Sequence, residues 1–442
     1  MIKLPEQVNK AICLLKNSGF EAYAVGGAVR DCLLGKVPFD WDITTSARPE
    51  ETEKVFCGER IIETGIKHGT VTVIIDDMPL EITTYRIDGD YTDHRHPQTV
   101  SFSDNLRDDL SRRDFTINTL CCNCDDKIID AFGGKDDLNN KTIRCVGDPD
   151  TRFSEDALRI MRAVRFSAEL GFKIEKSTSD SILKNRQLLS DVSKERLQVE
   201  FTKLITGKYA TDVIRKYHAV IEVFIPELAP LAECEQHTKY HKYDVFEHTL
   251  HAVDAIDFND RILRLTMFFH DFGKPDAKTT DENGTSHFKG HAVISEKKTR
   301  DILKRLKFDN NTINEVSKLV LIHDMKSPRD KIQAKKMMCS LGDEAYLNLI
   351  KIKCADNMAK ADPHAIDEKL KNMRSFYEEI KINNECYNLK SLAINGDDIK
   401  AFGIAEGKEI KSSLDFLLNG VIEGKCQNRK DVLLEYLKEN TK

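Results

Sequence analysis

The segment AVGGAVRDCLLGKVPFDWDITTS, residues 24–46, constrains the fold of this chain more than any other part of it. The apolar run at residues 22–25 predicts a strand, residues 28–34 predict a short helix, and Gly26 and Gly27 form the turn between them. A turn without side chains lets backbone N–H groups approach a phosphate. The segment therefore predicts a strand, a turn and a helix built around a phosphate.

Two carboxylates follow the glycine turn. Asp40 and Asp42 lie on the next predicted strand, and side chains two residues apart on a strand point to the same side. Both carboxylates can therefore face one hard cation or a close pair of cations. Together with Arg30, which lies beside the glycines, the segment predicts a nucleotide-binding site that uses Mg²⁺.

Composition bounds the class of protein. The chain has 442 residues, 40% of them hydrophobic and 32% charged, which predicts a soluble protein of two to four domains without a membrane partner. Its first twenty residues predict an amphipathic helix rather than a signal peptide, and its 12 cysteines fit reduced thiols, so we expect a cytoplasmic protein. The run CCNC at residues 121–124 lacks a second pair at zinc-like spacing and predicts a packed strand.

The charge balance bears on an RNA partner. A formal net charge of −6 argues against phosphate binding only as an average over the chain. Basic stretches at residues 158–166, 176–187 and 390–442 permit RNA contact, although such runs are also ordinary solvated helix faces.

The pattern of apolar residues changes along the chain. Short β-branched runs between residues 20 and 145 predict a mixed α/β head on one sheet, and three- and four-residue spacing afterwards predicts helices. Pro149 and the proline-containing stretch near residues 225–235 mark boundaries. We expect a head at 1–148, a helical neck at 149–230, a third domain at 231–365 and a helical tail at 366–442.

Three further motifs carry chemistry. SRRDFTINTL, residues 111–120, places Arg113 beside Asp114. The forked donors of an arginine suit triphosphate oxygens, and a carboxylate can accept a hydrogen bond from a ribose hydroxyl. The alternative is an ordinary ion pair on the surface. In EDALRIMRAVRF, residues 155–166, spacing by three predicts one helix face for Asp156, Arg159, Arg162 and Arg165. KERLQVEFTKLI has Arg196 and Glu200 at a spacing that braces a helix.

These motifs resemble those of the class II tRNA nucleotidyltransferases, or CCA-adding enzymes, in the superfamily of DNA polymerase beta. The resemblance implies an α/β nucleotidyltransferase head, a mixed sheet with helices, followed by an all-α neck, body and tail. It also implies roles for single residues: catalysis with Mg²⁺ by Asp40 and Asp42, nucleotide binding by Gly27, Arg30, Arg113, Arg162 and Arg165, ribose selection by Asp114, and base reading by Asp156 and Arg159.

Two features between the first motifs refine this picture. Glu81, on the predicted strand that ends near Tyr85, is either a third carboxylate for the metal or a surface glutamate at a strand end. Residues 85–102 predict a flexible loop, which resembles the segment that CCA-adding and A-adding enzymes keep. The loop favours addition of the terminal A.

A second constellation lies in the later, helical part of the chain. Its order of histidines and aspartates resembles the metal-dependent HD phosphohydrolases, and the full set is similar to that of two-metal members. Imidazole and carboxylate suit Mn²⁺, Fe²⁺, Co²⁺ or Ni²⁺, and the alternative is an HD fold kept only as a scaffold. The predicted ligands are His248, His270, Asp271, His291, His323 and Asp356.

The predicted function is template-independent addition of CCA to the 3′ end of tRNA from CTP and ATP, with release of pyrophosphate. An A-adding enzyme or a bacterial poly(A) polymerase is the nearest alternative. An HD phosphohydrolase with an RNA-capturing head and a non-enzymatic RNA-binding scaffold are alternatives of other classes. The partners predicted are tRNA, CTP and ATP, with the oligomeric state left open.

Overall fold

Residues 2–63, 65–66, 69–89, 99–237, 242–360, 368–404 and 407–440 are described in the computed structural model. The chain divides into two compact units. Unit 1 is Met1–Ala229 with Arg305–Lys307, and unit 2 is Pro230–Lys304 with Phe308–Lys442. Among the described residues, every helix is too short or too polar to cross a bilayer.

A seven-stranded mixed sheet forms the head of unit 1, in the order β3-β4-β5-β2-β1-β8-β9. Strands β2 and β5 are parallel, and the other neighbouring pairs are antiparallel. A separate ribbon pairs β6 with β7. The strands are β1 (Ala22–Val25), β2 (Asp42–Thr45), β3 (Arg60–Ile62), β4 (Thr70–Ile75), β5 (Met78–Thr84), β6 (Arg86–Asp88), β7 (Val100–Phe102), β8 (Cys121–Cys122) and β9 (Ile128–Ile129).

Alternating apolar residues explain the strands of the sheet. In β4, Val71, Val73 and Ile75 are buried while the residues between them are partly exposed, which is the two-residue period of a strand with one face on a core. The cysteines of β8 are both buried in the sheet, as the sequence predicts for CCNC. The central strand β1 lies between β2 and β8, so the glycine turn after it sits at the middle of one sheet edge.

Helices cover the sheet and then build the rest of unit 1. The first helix buries Val8, Ala11, Ile12 and Leu15, which recur at helical spacing on one face. The helices are α1 (Glu6–Asn17), α2 (Gly27–Leu33), α3 (Pro49–Val55), α4 (Leu106–Ser111), α5 (Gly134–Asn139), α6 (Pro149–Glu155), α7 (Leu158–Leu170), α8 (Lys176–Asn185), α9 (Lys194–Ile205) and α10 (Ala210–Ile221), and 3₁₀ turns lie at Thr116–Asn118, Arg186–Asp191 and Pro226–Leu228.

Two sequence predictions for the head need correction. The segment 85–102 is predicted as a loop, but its two ends pair as β6 and β7, because pairing satisfies the backbone groups of both ends. Residues 90–98 of that segment lie outside the described part. The run at 142–146 contributes β10 (Thr142–Ile143), which pairs in parallel with β11 (Lys173–Ile174) and not with the main sheet.

The helix predicted to carry Asp156 begins later than the spacing suggests. Helix α6 ends at Glu155, Asp156 has extended backbone angles of φ −135° and ψ 101°, and α7 starts at Leu158. The Asp156 carboxylate accepts a hydrogen bond from the Leu158 backbone N–H at 3.1 Å, and such local bonding favours a helix start over a helix interior. Asp156 therefore precedes the helix that carries the three arginines, and the prediction of one shared helix face is wrong for it.

Unit 2 is almost entirely helical, with one short hairpin formed by β12 (Thr279–Thr280) and β13 (Ser286–His287). Its last part has its own core, in which Ile399, Leu417 and Leu433 are buried. The helices from the end of unit 1 onward are α11 (Ala229–Ala232), α12 (Val245–Asp254), α13 (Arg261–Phe269), α14 (Lys274–Ala277), α15 (His291–Arg305), α16 (Asn310–Ile322), α17 (Lys331–Leu341), α18 (Asp343–Met358), α19 (Glu368–Ile382), α20 (Gly396–Ala401), α21 (Lys408–Ile422) and α22 (Lys430–Asn440), with a 3₁₀ turn at Leu389–Ser391. The fold class predicted from the sequence, an α/β head followed by helices, is confirmed.

Candidate active site and candidate metal centre

Three carboxylates meet at one edge of the head sheet. Asp42 is the first residue of β2, and Glu81 is its register partner on the parallel strand β5, so the two side chains lie next to each other. Asp40 is exposed two residues before Asp42. Burial, with the charges of Glu81 and Asp40, raises the pKa of Asp42 to about 6, although Arg113 opposes the shift. Neighbouring negative charges disfavour ionisation of a carboxylate and so raise its pKa. A crowded group of carboxylates with such a shift is typical of a site that binds a cation.

The glycine turn lies directly beside this acidic group. Gly26 has φ +84°, and a Cβ added to it would lie 3.2 Å from Nη1 of Arg113 and 3.8 Å from Oδ2 of Asp42. Glycine is therefore required both by the backbone angle and by the space that Arg113 occupies. Gly27, which the sequence singles out, is the first residue of α2 and has an ordinary helical position.

A buried aspartate that sequence reasoning missed holds the two arginines of the RRD motif. Asp109 is fully buried; its Oδ1 accepts from Arg112 at 2.6 Å and its Oδ2 accepts from Arg113 at 3.4 Å and from Thr44 at 2.9 Å. The sequence does contain a signal for these contacts, because Asp109 lies on α4 three and four residues before the two arginines. Asp109 thereby points Arg113 toward the acidic group.

A chain of hydrogen bonds connects the glycine helix to α7. Arg30 on α2 donates to Oδ1 of Asn118 at 2.8 Å, and Nδ2 of Asn118 donates to Oδ1 of Asp114 at 3.0 Å. The second oxygen of Asp114 accepts a hydrogen bond from Nε of Arg162 at 2.8 Å and forms an ion pair with Nη2 of the same side chain at 2.7 Å. Burial opposes ionisation, but the Arg162 charge and the hydrogen bonds outweigh it and lower the pKa of Asp114 to about 2. The carboxylate is thus ionised and already bonded on both oxygens.

Three of the predicted nucleotide-binding arginines surround one aromatic ring. The guanidinium carbons of Arg30, Arg162 and Arg165 lie 4.9 Å, 5.3 Å and 3.7 Å from the ring centroid of Phe166. Arg165 also pairs with Glu200 of α9 at 2.7 Å. Each of these guanidinium groups is also paired with a carboxylate, that of Asp31, Asp114 or Glu200 respectively. Three fixed hydrogen-bond donors therefore gather around Phe166 in the second half of α7, and such forked donors suit a polyanionic ligand.

The two residues predicted to read the base are held by different partners. Asp156 is paired with Arg196 of α9, whose Nη2 lies 3.1 Å and 2.9 Å from its two oxygens. Arg159 is buried; it donates to Glu155 at 2.6 Å and to the backbone carbonyl of Arg112 at 2.8 Å. Helix α9 therefore supports the segment around Asp156 and α7 with both of its motif residues, since Glu200 contacts Arg165.

The six histidines and aspartates predicted as HD ligands converge in unit 2. They lie on or directly after five helices, α12, α13, α15, α16 and α18, and all but Asp356 are buried. Two groups of three have their ligand atoms within 4.8 Å of one another: His248 with His270 and Asp271, and Asp271 with His291 and His323. Asp356 joins the first group, because its Oδ1 lies 3.0 Å from Nε2 of His248. Asp271 is therefore shared by both groups.

Hydrogen bonds orient the four imidazoles toward this centre. In each one Nδ1 lies within hydrogen-bond distance of a backbone carbonyl, so Nδ1 carries the proton in the neutral ring and donates. The carbonyls belong to Ala359, Met267, Phe288 and Val320, at 3.3 Å, 2.6 Å, 2.8 Å and 2.6 Å for His248, His270, His291 and His323 respectively. The second nitrogen, Nε2, is then an acceptor that points inward, which is the usual arrangement of histidine ligands to a metal.

The inward-facing atoms are the kind that a cation would satisfy. Nε2 of His291 and Nε2 of His323 lie 3.0 Å apart, and two unprotonated nitrogens repel each other at that distance unless a cation lies between or beside them. Burial and the neighbouring His270 lower the pKa of His323 to about 3, so its ring is neutral at pH 7. Both oxygens of Asp271 are buried without a hydrogen bond of good geometry among the described residues, although Lys274 forms an ion pair with it at 2.7 Å.

A cavity of about 370 Å³ opens onto this centre. It is lined by ligand-type residues together with three lysines, Lys274, Lys353 and Lys360. Lys360 pairs with Asp356 at 2.7 Å. A site with buried imidazoles, carboxylates and flanking ammonium groups is chemically suited to a metal-bound phosphate.

Family comparisons agree with the geometry of both units. Residues 22–144 match the "Poly A polymerase head domain", residues 171–231 match the "Probable RNA and SrmB- binding site of polymerase A", and residues 279–437 match the tRNA nucleotidyltransferase domain 2. The first match contains the glycine turn, the carboxylates and the RRD motif, so it covers the candidate active site.

Relatives that match nearly the whole chain are CCA-adding enzymes. The chain is 34% identical over 424 residues to the CCA-adding enzyme of Bacillus velezensis, covering 96% of this chain and 95% of the relative. It is 33% identical to the CCA-adding enzyme of Bacillus subtilis, covering 96% of each. The crystal structure of the Bacillus stearothermophilus CCA-adding enzyme in complex with CTP superposes with a TM-score of 0.72 at 30% identity, over 98% of this chain and 96% of that one. The chain therefore belongs to the CCA-adding enzymes, a family of tRNA nucleotidyltransferases.

Proposed function

We propose that this protein adds C, C and A to the 3′ end of tRNA from CTP and ATP and releases pyrophosphate at each step. The observation that carries the proposal is the meeting of Asp42, Glu81 and Asp40 at the sheet edge beside Arg113. Relatives at 33–34% identity over nearly the whole chain are CCA-adding enzymes, and one was solved with CTP. The predicted cytoplasmic location stays a prediction.

Asp40 and Asp42 are the proposed catalytic carboxylates, with Glu81 as a third. Nucleotidyltransferases in general depend on divalent metal ions, and the acidic group fits one because burial and the charges of Glu81 and Asp40 raise the pKa of Asp42, an effect that a bound cation would offset. We assign Mg²⁺, since carboxylate oxygens are its preferred protein ligands. When bound, Mg²⁺ would polarise the α-phosphate and lower the pKa of the tRNA 3′-hydroxyl.

The protein's own side chains supply the binding of the triphosphate. Arg113 is aimed toward the acidic group by Asp109, so it can neutralise phosphate charge next to the carboxylates. Arg30, Arg162 and Arg165, the guanidinium groups gathered on Phe166, are the other proposed triphosphate contacts. The main chain at Gly27 is the proposed backbone contact, and Asp114, which orients Arg162, is the proposed ribose selector.

Asp156 and Arg159 are the proposed readers of the incoming base. Cytosine and adenine both present an exocyclic amine beside an unprotonated ring nitrogen, so a carboxylate and a guanidinium satisfy either base. Guanine and uracil present a carbonyl and an N–H at those places and would leave both side chains facing like groups. Arg196 and Glu155 hold the two readers in place before a base arrives.

Extension assays test the reaction. tRNAs lacking one, two or three terminal nucleotides are incubated with CTP, ATP or both; we expect stepwise addition that stops after the third nucleotide. Addition of A alone would instead identify an A-adding enzyme, and long tails would identify a poly(A) polymerase. Asp42→Ala should abolish incorporation of both nucleotides while tRNA binding stays nearly intact. Incorporation by that variant would contradict the metal assignment.

The domain division predicted from the sequence is also part of the proposal. We assign residues 1–148 to the catalytic head, 149–230 to a neck, 231–365 to an HD domain and 366–442 to a tRNA-binding tail. The break between the two compact units after Ala229 and the separate core around Ile399 and Leu417 support it.

A phosphohydrolase activity of the HD domain is the second proposed function. The convergence of all six predicted ligands, with four histidines oriented by backbone carbonyls, favours it over a scaffold role. A transition metal such as Mn²⁺, Co²⁺ or Ni²⁺ fits the mixed nitrogen and oxygen donors and would, when bound, acidify a water for attack on a phosphoester. We expect the wild-type protein to hydrolyse a 2′,3′-cyclic phosphate and the Asp271→Asn variant to lose this activity. Absence of hydrolysis with each of these metals would contradict the proposed activity.

A further inference from the structure

An apolar tip projects from the head directly before the catalytic carboxylates. Val37 and Phe39 are 95% and 102% exposed relative to a reference residue, and among the described large hydrophobic residues the next most exposed, Ile382, reaches 78%. Single exposed apolar residues are common on protein surfaces, but Val37 and Phe39 are both fully exposed and only two residues apart, so they form adjacent apolar surface. This tip, residues 36–39, is not used by the fold.

The base of the tip is anchored. The backbone N–H of Lys36 donates to the carbonyl of Asp31 at 2.8 Å, and that of Gly35 donates to the carbonyl of Cys32 at 3.0 Å. On the other side Trp41 is buried at 6% exposure and β2 begins at Asp42. Pro38 limits the backbone freedom between them. The tip is therefore held out from two fixed ends, and Phe39 is displayed without being packed.

The position of Phe39 ties it to the proposed reaction. It immediately precedes Asp40, and its Cα is at most about 11 Å from that of Asp42, since consecutive Cα atoms are about 3.8 Å apart. The 3′-hydroxyl that attacks must reach these carboxylates. The nucleotide that carries the hydroxyl then brings its own base within a short distance of Phe39, and exposed Lys36 can meet the backbone phosphate.

Stacking suits the chemistry of this end of the substrate. With each addition the terminal base of the tRNA changes, so a site that reads hydrogen-bond edges would reject at least one of the successive ends. An aromatic face accepts every base, because each has a π surface. The arginines around Phe166 and the base readers Asp156 and Arg159 are assigned to the incoming nucleotide. A contact to the terminal base of the tRNA must therefore come from other residues.

We propose that Phe39 is a stacking platform for the unpaired 3′-terminal base of tRNA, which holds the attacking end at the carboxylates of Asp40 and Asp42. The inference rests on the proposed CCA addition. Phe39 is a positioning residue for RNA in this role and touches neither phosphate nor metal.

The test couples one side chain to one base. Binding of a tRNA that lacks CCA is measured without nucleotide, and then binding of the same tRNA with an abasic terminal nucleotide. Phe39→Ala should weaken binding of the intact tRNA about tenfold, and removing the base should weaken binding to the wild-type protein by a similar factor. Phe39→Ala combined with the abasic tRNA should weaken binding no more than either change alone.

Conservative variants separate stacking from apolar contact. Phe39→Trp should retain binding and the KM for tRNA, whereas Phe39→Leu should behave like the alanine variant. Phe258→Ala is the control, since Phe258 is a partly exposed aromatic residue in unit 2 at 42% exposure, and it should change nothing. The KM for CTP should be unaffected by all of them.

Three results would overturn the proposal: an unchanged tRNA affinity for Phe39→Ala, an equal loss on intact and abasic tRNA, or a raised KM for CTP in place of tRNA. Failure of the proposed function is a separate result. A wild-type protein that does not extend tRNA contradicts CCA addition, while the binding comparison, made without nucleotide, still decides whether Phe39 contacts the terminal base.

Discussion

Arg196 and Asp156 form an ion pair between α9 and the junction of α6 and α7, with one guanidinium nitrogen 2.9 Å from a carboxylate oxygen and 3.1 Å from the other. The residues are 40 positions apart in the sequence. Because Asp156 lies in extended backbone outside either helix, its side-chain direction is set by this contact and by its bond to the Leu158 N–H. Arg196 therefore positions a proposed base reader without belonging to the EDALR motif.

Removal of the positioning arginine should blur base choice. In Arg196→Ala the Asp156 carboxylate loses its partner, and we expect the preference for CTP over UTP to fall about tenfold, the size of one hydrogen-bond mismatch at a polar site. The measurement is kcat/KM for single additions of CTP and UTP to tRNA lacking CCA. Arg196→Lys keeps a cation and should recover part of the preference. Equal losses of kcat/KM for both nucleotides would show that Arg196 supports the fold alone.

Asp114 and Arg162 should be strongly coupled in stability. Each single variant, Asp114→Asn or Arg162→Met, leaves the remaining charged side chain without the opposite charge that paired with it. The double variant removes both charges, so neither is left unpaired by the other. We expect a coupling free energy of about 1–3 kcal/mol in a double-mutant cycle measured by urea unfolding. Arg215→Met, which breaks an exposed pair with Asp212 on α10, is the control and should cost under about 1 kcal/mol. Additive losses for Asp114 and Arg162 would contradict the coupling.

The same pair gives stability a direction with pH. The pKa of Asp114 is lowered to about 2 in the folded protein, below its usual value near 3.8. The unfolded state therefore takes up a proton first as the pH falls, and the stabilisation present above pH 4 is lost between pH 4 and 2. Unfolding measured at pH 5 and at pH 3 should show this loss in the wild type and a smaller loss in Asp114→Asn.

Sequence patterns could predict the chemistry better than its supports. The two-residue spacing of Asp40 and Asp42 and the β-branched runs around them predict that both lie on one strand; β2 begins at Asp42, so the prediction is right for Asp42 and wrong for Asp40, which lies before the strand. Glu81 could not be decided from the sequence, because its meaning depends on the parallel register of β5 with β2. Register is a long-range property, fixed by which strands pair and not by local pattern.

The EDALR motif shows the opposite limit. A spacing of three suggests one helix face, but the aspartate side chain bonds the backbone locally and delays the start of α7 to Leu158. The partner of that motif, Arg196, lies 40 residues away in the sequence and contacts Asp156 only after folding. The exposure of Phe39 could not be read from the sequence either, since a large hydrophobic residue is more often buried than exposed.

The acidic group at the sheet edge should cost stability when no cation is bound. Asp42 has a pKa of about 6 in the folded protein against 3.8 usually, so between pH 4 and 6 the folded state keeps a proton that the unfolded state has lost. Stability should therefore fall as the pH rises through that window, by about 2–3 kcal/mol in total. Asp42→Asn should be more stable than the wild type at pH 7 in EDTA.

Mg²⁺ should remove this difference. Thermal unfolding of the wild type and Asp42→Asn at pH 7 is compared in EDTA and in Mg²⁺; the cation should raise the Tm of the wild type toward that of the variant and change the variant little. Asp31→Asn, which alters an aspartate of α2 that pairs with Arg30, is the control and should respond to Mg²⁺ as the wild type does. A wild type that is the more stable protein in EDTA would contradict the crowding of charge at this edge.

The HD centre should bind a transition metal independently of the head. Adding Mn²⁺, Co²⁺ or Ni²⁺ at about 100 times Kd should stabilise the protein by about 2.7 kcal/mol, read as a raised Tm. Asp271→Asn removes the carboxylate shared by both groups of ligands and should abolish the shift, while Asp324→Asn, a cavity residue outside the ligand set, should keep it. The pKa of His323 is lowered to about 3, so its ring is neutral throughout pH 6 to 8, whereas the pKa of His270 is raised, so the shift should weaken as the pH falls from 8 to 6. Extension of tRNA should be unchanged in Asp271→Asn, since the carboxylates proposed to catalyse it, those of Asp40 and Asp42, lie in unit 1. An equal metal shift in Asp271→Asn and the wild type would place the metal elsewhere.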